Sequence, residues 1–220
     1  MKSRVLLLFL TLTAAFKFVL GDAQAHPHVW ITASSNVVFN DAGLIIAIKS
    51  DWVLDEAYSA VATEGLDANN DGTLDSSELA PLTAENIDSL KDYDYFTYAF
   101  RANEKVVFDP PREARQSMQG KNLALHFELP LSQPINPKEE AFTFRVYDPT
   151  FYIAISLLNP NPIQLTSAPP GCSPSVNAPD STEATESTKQ MLADQPADWQ
   201  SPVPENFGVL FADIIAVTCN

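Results

Sequence analysis

The chain has 220 residues, 45% of them hydrophobic, with a formal charge of −15 and a pI near 4.4. That size and composition supply one ordinary buried core and exclude a wholly disordered chain. The charge excludes nucleic acid as a partner, since a phosphate backbone needs a basic stripe; it also opposes adsorption to anionic lipid and attracts divalent cations.

Lys2 and Arg4 precede an apolar run from Val5 to Phe16, and Ala23-Gln24-Ala25 has the small-x-small pattern of a secretory cleavage site. Residues 1–25 therefore read as a signal peptide cut after Ala25. Lys17 interrupts the apolar run, which falls short of the roughly 20 residues needed to cross a bilayer, and no later segment reaches that length. The expectation is a soluble, exported domain over 26–220 with no stable membrane insertion. Removing residues 1–25 takes away three basic residues and one acidic one, so the remaining balance is −17.

The first element of that domain is a β-hairpin: HVWITASSNVVF (28–39) and LIIAIKSDW (44–52) flank the turn cluster Asn40-Asp41-Ala42-Gly43. Apolar residues then recur at helical spacing through Leu54, Ala57, Tyr58, Val61 and Ala62, until Gly65 and an Asp/Asn run stop the pattern. Ser77 to Leu90 is helical again, with Pro81 near its start. Between 95 and 155 the segments YFTYAF, KVVF, LALHFELP, FTFRVY and FYIAIS read as strands, joined at DPPRE, QGKN and QPINP. With no helix of crossover length between them, these strands pair antiparallel. Prolines, serines and threonines dominate from 168 to 204, where a mobile excursion is expected, with a short helix over Thr188 to Leu192. IIAVTC returns as a final strand. The predicted fold is α+β: a β-rich antiparallel sheet or sandwich with an EF-hand-like helix-loop-helix inserted at about 54–92.

Cys172 and Cys219 fit no metal spacing, and an exported chain meets an oxidising compartment, so a disulfide tying the last strand to the loop after residue 170 is expected. A loop of that length contributes roughly 4 kcal/mol in the chain-entropy model. The alternative is two unpaired thiols.

The strongest motif is Asp67 to Glu78, DANNDGTLDSSE. Asp67, Asn69 and Asp71 offer side-chain oxygens at positions 1, 3 and 5 of a twelve-residue calcium loop; Thr73 offers a carbonyl, Asp75 acts through water and Glu78 supplies both carboxylate oxygens. Gly72 permits the sharp left-handed turn, and Leu74 packs between the flanking helices. A hard cation such as Ca²⁺ suits this oxygen cage. Calcium sensors work through paired hands, so a single loop points to a structural site. The bland reading is an acidic Asx-turn loop that never fills.

Three histidines remain. If cleavage follows Ala25, His26 begins the chain, and its amine and Nδ1 can chelate one ion. Pro27 has no amide hydrogen, which blocks the square-planar copper site built from the amides of residues two and three. On a strand, His26, His28 and Trp30 share one face. In LALHFELP, Leu125, Phe127 and Leu129 point one way, and His126 and Glu128 the other. The set His26, His28 and His126 is a candidate site for Ni²⁺, Co²⁺, Zn²⁺ or Cu²⁺; the bland reading makes them ordinary hydrogen-bonding residues at strand edges and a frayed terminus. No G-x-S-x-G, H-E-x-x-H, C-x-x-C or phosphate-binding glycine loop is present, and nothing in the sequence singles out one histidine as the base of a hydrolytic triad. No catalytic residue is assigned. The pair Asp55-Glu56 reads as a solvated first helical turn.

HPHVW, WVLDEAYSA, LDANNDGTLDSSELAPL, DYDYFTYAF, LALHFELP, YDPTFY and the closing VTC together resemble the DUF1007 family of exported bacterial proteins, described as the periplasmic component of an uncharacterised transport system. The resemblance covers most of the mature chain. It implies a periplasmic location and an inner-membrane permease of the nickel/cobalt type as partner. It also implies a histidine in many relatives where this chain has Ser50, with Asp51 a substitute ligand if that position binds metal. The functional expectation is a periplasmic metal-binding accessory protein of a transition-metal transport system with a structural calcium site. Two alternatives stand beside it: a calcium-stabilised interaction module of the envelope in which the histidines are incidental, and a copper redox enzyme built on His26.

Overall fold

A computed structural model describes residues 27–179, 186–188, 190–191, 194–195 and 206–220. The segment expected to be a signal peptide, the expected cleavage point between Ala25 and His26, and His26 itself lie outside these residues.

Strand β1 (Val29–Phe39) runs antiparallel to β2 (Ile45–Leu54), joined by the expected turn. Asn40 Oδ1 accepts from the Ala42 and Leu44 amides at 3.0 Å, an Asx-turn that fixes the reversal, while Gly43 adopts φ +75°. Along β1 the odd residues Val29, Ile31, Ala33 and Val37 are buried, and the even residues face outward. This period-2 alternation is that of a sheet with one face on the core.

Two helices follow: α1 (Glu56–Ala62) and α2 (Ser76–Leu90). Leu54 belongs to β2, and Val61 is exposed, so α1 is shorter than the apolar spacing suggests and buries chiefly Ser59. Asp55 is the N-cap of α1, accepting from the Tyr58 amide at 2.9 Å, and its other oxygen accepts from Trp30 N at 2.9 Å. It therefore pins the helix to β1 and is not simply solvated. Pro81 falls in the second turn of α2, where its missing N–H leaves one intrahelical bond unmade. Leu79 is fully buried and carries α2 onto the core, and Leu74 packs against that core half-buried.

The remaining strands are β3 (Thr97–Arg101), β4 (Glu104–Lys105), β5 (Arg112–Gln119), β6 (Asn122–Ile135), β7 (Phe142–Val146), β8 (Ile153–Leu157), β9 (Ile163–Thr166), β10 (Cys172–Asn177) and β11 (Ile214–Cys219). They form two sheets. The six-stranded one has the order β5-β6-β2-β1-β8, with β9 also paired to β1; the five-stranded one has the order β10-β11-β7-β3-β4. Pairing is antiparallel except for β8 and β9, which both run parallel to β1. Inward side chains of both sheets meet in one core: Ile48, Trp52, Leu125 and Phe127 from the first, Ala99, Phe142, Phe144 and Ile215 from the second. The protein is thus β-rich, with two mostly antiparallel sheets and few helices.

Several segments depart from expectation. KVVF contributes only Lys105, the second residue of β4, and an isolated bridge at Phe108. DPPRE is not a simple joint, because Arg112 opens β5, whose Arg, Glu and Gln content hides it from any propensity scale. CSPSVN, inside the stretch expected to be mobile, forms β10. Pro174 is tolerated there because β10 is an edge strand. Of the short helix expected over Thr188 to Leu192, residues 188 and 190–191 are helical, as are 186–187 before it.

Between α2 and β3 the chain reverses through three successive left-handed residues, Asp94, Tyr95 and Phe96, with φ of 51°, 54° and 50°. Phe96 is thereby driven into the core, where its ring stacks on Trp52 at 6.2 Å. That burial offsets a backbone cost of about 1–3 kcal/mol per strained residue.

Candidate functional site

The loop from Asp67 to Glu78 joins α1 to α2 and is ordered by its own side chains. Asp67 accepts from the Asp71 and Gly72 amides at 3.2 and 2.9 Å, Asn69 Oδ1 from the Asp71 amide at 2.8 Å, and Asp71 Oδ1 from the Thr73 amide and hydroxyl at 2.8 and 2.7 Å. These nested Asx-turns need Gly72 at φ +81°. At the far end Asp75 caps α2, accepting from the Ser77 and Glu78 amides, while Glu78 Oε2 returns to the Asp75 amide at 3.1 Å in a capping box. Glu78 Oε1 reaches back across the loop to the Ala68 amide at 2.9 Å. Residue twelve of the motif is therefore bonded to residue two.

Hydrogen bonding decides the charge state here. The Thr73 hydroxyl and amide hold the Asp71 carboxyl below the usual carboxylate range, and Ser77 and the Glu78 amide do the same for Asp75. For Asp71 these bonds outweigh the repulsion of Asp75. The carboxylates present oxygen to the loop's N–H groups; among the described residues no three His, Cys, Asp or Glu side chains stand grouped as metal ligands would.

His28 precedes β1. Its amide donates to Tyr152 O at 2.8 Å, and its ring stacks on the Tyr152 ring at 4.6 Å. By strand alternation it shares the outward face with Trp30, which is 54% exposed.

His126 lies elsewhere. In the β2–β6 register it faces Asp51, and Asp51 faces Ser34 on β1. Ser34 is six residues from His28, about 20 Å along the strand. The sheet thus sets His28 and His126 at different places on its outer face, too far apart to share one ion. His126 has closer company: its Nδ1 bonds Asp51 Oδ1, and its Nε2 is 3.4 Å from Ser117 Oγ on β5. The His126 side chain is 13% exposed and Asp51 47% exposed. Lys49 flanks the pair, bonded to Glu113 at 2.8 Å and Glu128 at 3.2 Å. Those partners raise the lysine's pKa, Glu113 first, and Lys49 in turn lowers that of Glu113.

Ser50 is buried, 1% exposed, on the inner face of β2. One residue of register separates it from the outward face of Asp51, so it does not belong to the His126 group. Its cross-strand partner is Ser35, and neither hydroxyl finds a hydrogen-bond partner among the described residues.

The segment YDPTFY is structural. Asp148, 4% exposed, accepts from Thr150 N, Thr150 Oγ1 and Ile153 N at 2.8–2.9 Å, and so sets the entry into β8. WVLDEAYSA is structural too: Ser59 Oγ donates to Asp55 O at 2.6 Å and accepts from Leu123 N at 2.8 Å, locking α1 to β6. Nothing in the sequence marks Ser117, because the polar segment that forms β5 carries no strand signal, and Asp51 stands out there only as a substitute for Ser50.

Cys172 and Cys219 form a disulfide between β10 and β11, where they are directly opposite in register. Cys172 therefore sits in a strand rather than a loop. Among the described residues no helix is long and apolar enough to cross a membrane.

The class defined by these features is a β-rich protein of two mostly antiparallel sheets, closed by a disulfide and carrying an acidic loop between two helices. The chain belongs to the family described as Protein of unknown function (DUF1007), whose model matches residues 11–219. An uncharacterized protein of Haemophilus influenzae (strain ATCC 51907 / DSM 11121 / KW20 / Rd) is 25% identical over 205 residues, covering 92% of this chain and 95% of that protein. Among solved structures, the Biomphalaria glabrata acetylcholine-binding protein type 1 (BgAChBP1) matches over 100% of this chain and 98% of its own, at 13% identity and a TM-score of 0.34, a likeness too weak to argue from.

Proposed function

We propose that this is an exported, periplasmic metal-binding protein that serves a transition-metal permease of the inner membrane, and that the loop Asp67–Glu78 is an EF-hand-like structural calcium site. One observation carries the calcium part: Asp67, Asn69, Asp71 and Glu78 all fold their side chains onto the same short loop around a left-handed Gly72. Their chemistry, carboxylate and amide oxygen with the Thr73 carbonyl and Asp75 in support, fits a hard divalent cation. When bound, the ion supplies positive charge that the acidic loop otherwise lacks. The loop's residues bring the oxygens and give up their bonds to the Ala68 and Asp75 amides. Affinity belongs toward the weak, extracellular end of the range, at about 10⁻⁴ to 10⁻³ M.

The transition-metal part rests on the chain's entry into β1. His28 stands on an outward face directly before the strand, and a chain cut after Ala25 would place the His26 amine and imidazole two residues upstream. Ni²⁺, Co²⁺, Zn²⁺ and Cu²⁺ are the candidate ions. The disulfide supports an oxidising location.

The test is a metal panel on protein purified from the periplasm, with its N-terminus read by mass. The expected result is a chain beginning at His26 that binds a transition metal at micromolar or better, with the affinity lost in His26→Ala or when one residue is added before His26. Uptake of Ca²⁺ alone, with His26→Ala silent, replaces this reading by a calcium-stabilised interaction module. Copper-dependent turnover of oxygen or peroxide replaces it by a redox enzyme.

A further inference from the structure

Three strands of the large sheet bring Ser117, His126 and Asp51 into one hydrogen-bonded line on its outer face. Asp51 comes from β2, His126 from β6 and Ser117 from β5. His126 Nδ1 bonds the Asp51 carboxylate. That bond places the ring proton on Nδ1, which leaves Nε2 with its lone pair. Nε2 points at Ser117 Oγ, 3.4 Å away. This is long for a hydrogen bond but within the looser range of a serine–histidine pair before substrate tightens it. The order serine, imidazole Nε2, imidazole Nδ1, carboxylate is that of an acyl-transfer triad, which is defined by geometry and not by chain position.

From this we infer that Ser117 is a nucleophile activated by His126 and Asp51, and that the outer face of the sheet hydrolyses small carboxylic esters.

As Ser117 Oγ bonds the ester carbonyl carbon, its proton passes to His126 Nε2 and the carbonyl π pair moves onto oxygen. The tetrahedral species then collapses. The C–O bond to the alcohol breaks, and the leaving alkoxide takes the proton from Nε2. Water attacks the acyl-Ser117 ester, giving its proton to Nε2, and expulsion of Ser117 Oγ returns that proton to the serine. The sum is ester plus water to acid plus alcohol, with no oxidant and no metal. Asp51 stays ionised throughout and stabilises the imidazolium.

The developing oxyanion needs a donor. Arg115 is opposite His126 in the β5–β6 register and two residues before Ser117, so strand alternation puts it on the same outward face. Of the other charges of that face, Lys49, Glu113 and Glu128 are tied to one another, and Arg112 stands opposite Glu128, away from His126. Arg115 is the arginine that the register sets opposite His126 and two residues from the serine.

The experiment treats purified, disulfide-intact protein with a fluorophosphonate probe, maps the adduct by mass spectrometry, and follows hydrolysis of 4-nitrophenyl acetate in excess chelator. The expected adduct is on Ser117. Ser117→Ala abolishes both labelling and turnover, and His126→Gln slows labelling by about 10²-fold or more. Asp51→Asn slows it too, and keeps the test decisive if His126→Gln does not fold, as judged by near-UV circular dichroism. Arg115→Ala slows turnover without redirecting the label. Absence of an adduct overturns the inference. So does labelling that Asp51→Asn and His126→Gln leave unchanged, or turnover that chelator removes and Zn²⁺ restores. The first two of these three results leave the transition-metal reading untouched, since Ser117→Ala is expected to leave metal uptake at His26 and His28 as it is.

Discussion

Gly208 shows how a single residue can be held by packing alone. A Cβ built there would lie 1.9 Å from the Asp148 carbonyl oxygen and 3.1 Å from the Tyr147 ring. The contact is with backbone, which has little room to yield. The same Asp148 orders the turn into β8 through its side chain, so the strain would reach the edge of the large sheet. Gly208→Ala is expected to cost about 3 kcal/mol, read as a fall in the urea midpoint at unchanged slope. An unchanged midpoint would show that the short 3₁₀ turn Phe207–Leu210 moves freely away from Asp148. Ser50 makes the complementary point. Its neighbour Asp51 faces solvent and His126, whereas Ser50 is enclosed with Ser35 against the core, and the period of a strand is the whole cause.

At the scale of an element, the loop between α1 and α2 is held by carboxylates rather than by burial. Asp71 and Asp75 have pKa values lowered by bonds from Thr73 and Ser77. The sign follows from linkage: a carboxyl whose folded pKa is depressed contributes its full share above the ordinary value of about 3.9 and loses it as pH falls through the folded value. Without added metal, the Thr73 and Ser77 amide resonances should therefore stay constant through neutral pH and titrate together only below that ordinary value. Titration of those amides at or above it would mean that the nested turns do not form in solution. The same lone pairs that order the loop are those a cation would use, so Ca²⁺ should shift this titration lower still.

Across the whole molecule, the disulfide closes the small sheet by joining the two strands at its edge, β10 and β11, over a separation of 47 residues. Reduction, or the double change Cys172→Ser with Cys219→Ser, should cost roughly 4 kcal/mol in the chain-entropy model, measured by urea unfolding with and without reductant. A loss below about 1 kcal/mol would mean that the unfolded chain is already compact between these positions. Much of this architecture was legible locally. The β1–β2 hairpin, the inward set Leu125, Phe127 and Leu129, the paired helices and the last strand follow from period, turn residues and caps, because each is specified by neighbours a few positions apart. Strands β5 and β10 were not legible, since Arg, Gln, Pro and Ser carry no strand signal and pair only because β6 and β11 present an open edge. The acidic loop and the outward face of His126 could likewise be read from spacing. What stands beside His126 could not: Asp51 is 75 positions away and Ser117 nine, and no period links them. Sequence alone determined which faces are apolar, where the chain turns and which oxygens crowd the loop, all consequences of local geometry. Only the tertiary structure decided that His28 and His126 stand apart and that serine, histidine and carboxylate fall in line, because strand order and register are settled by how two sheets bury one core.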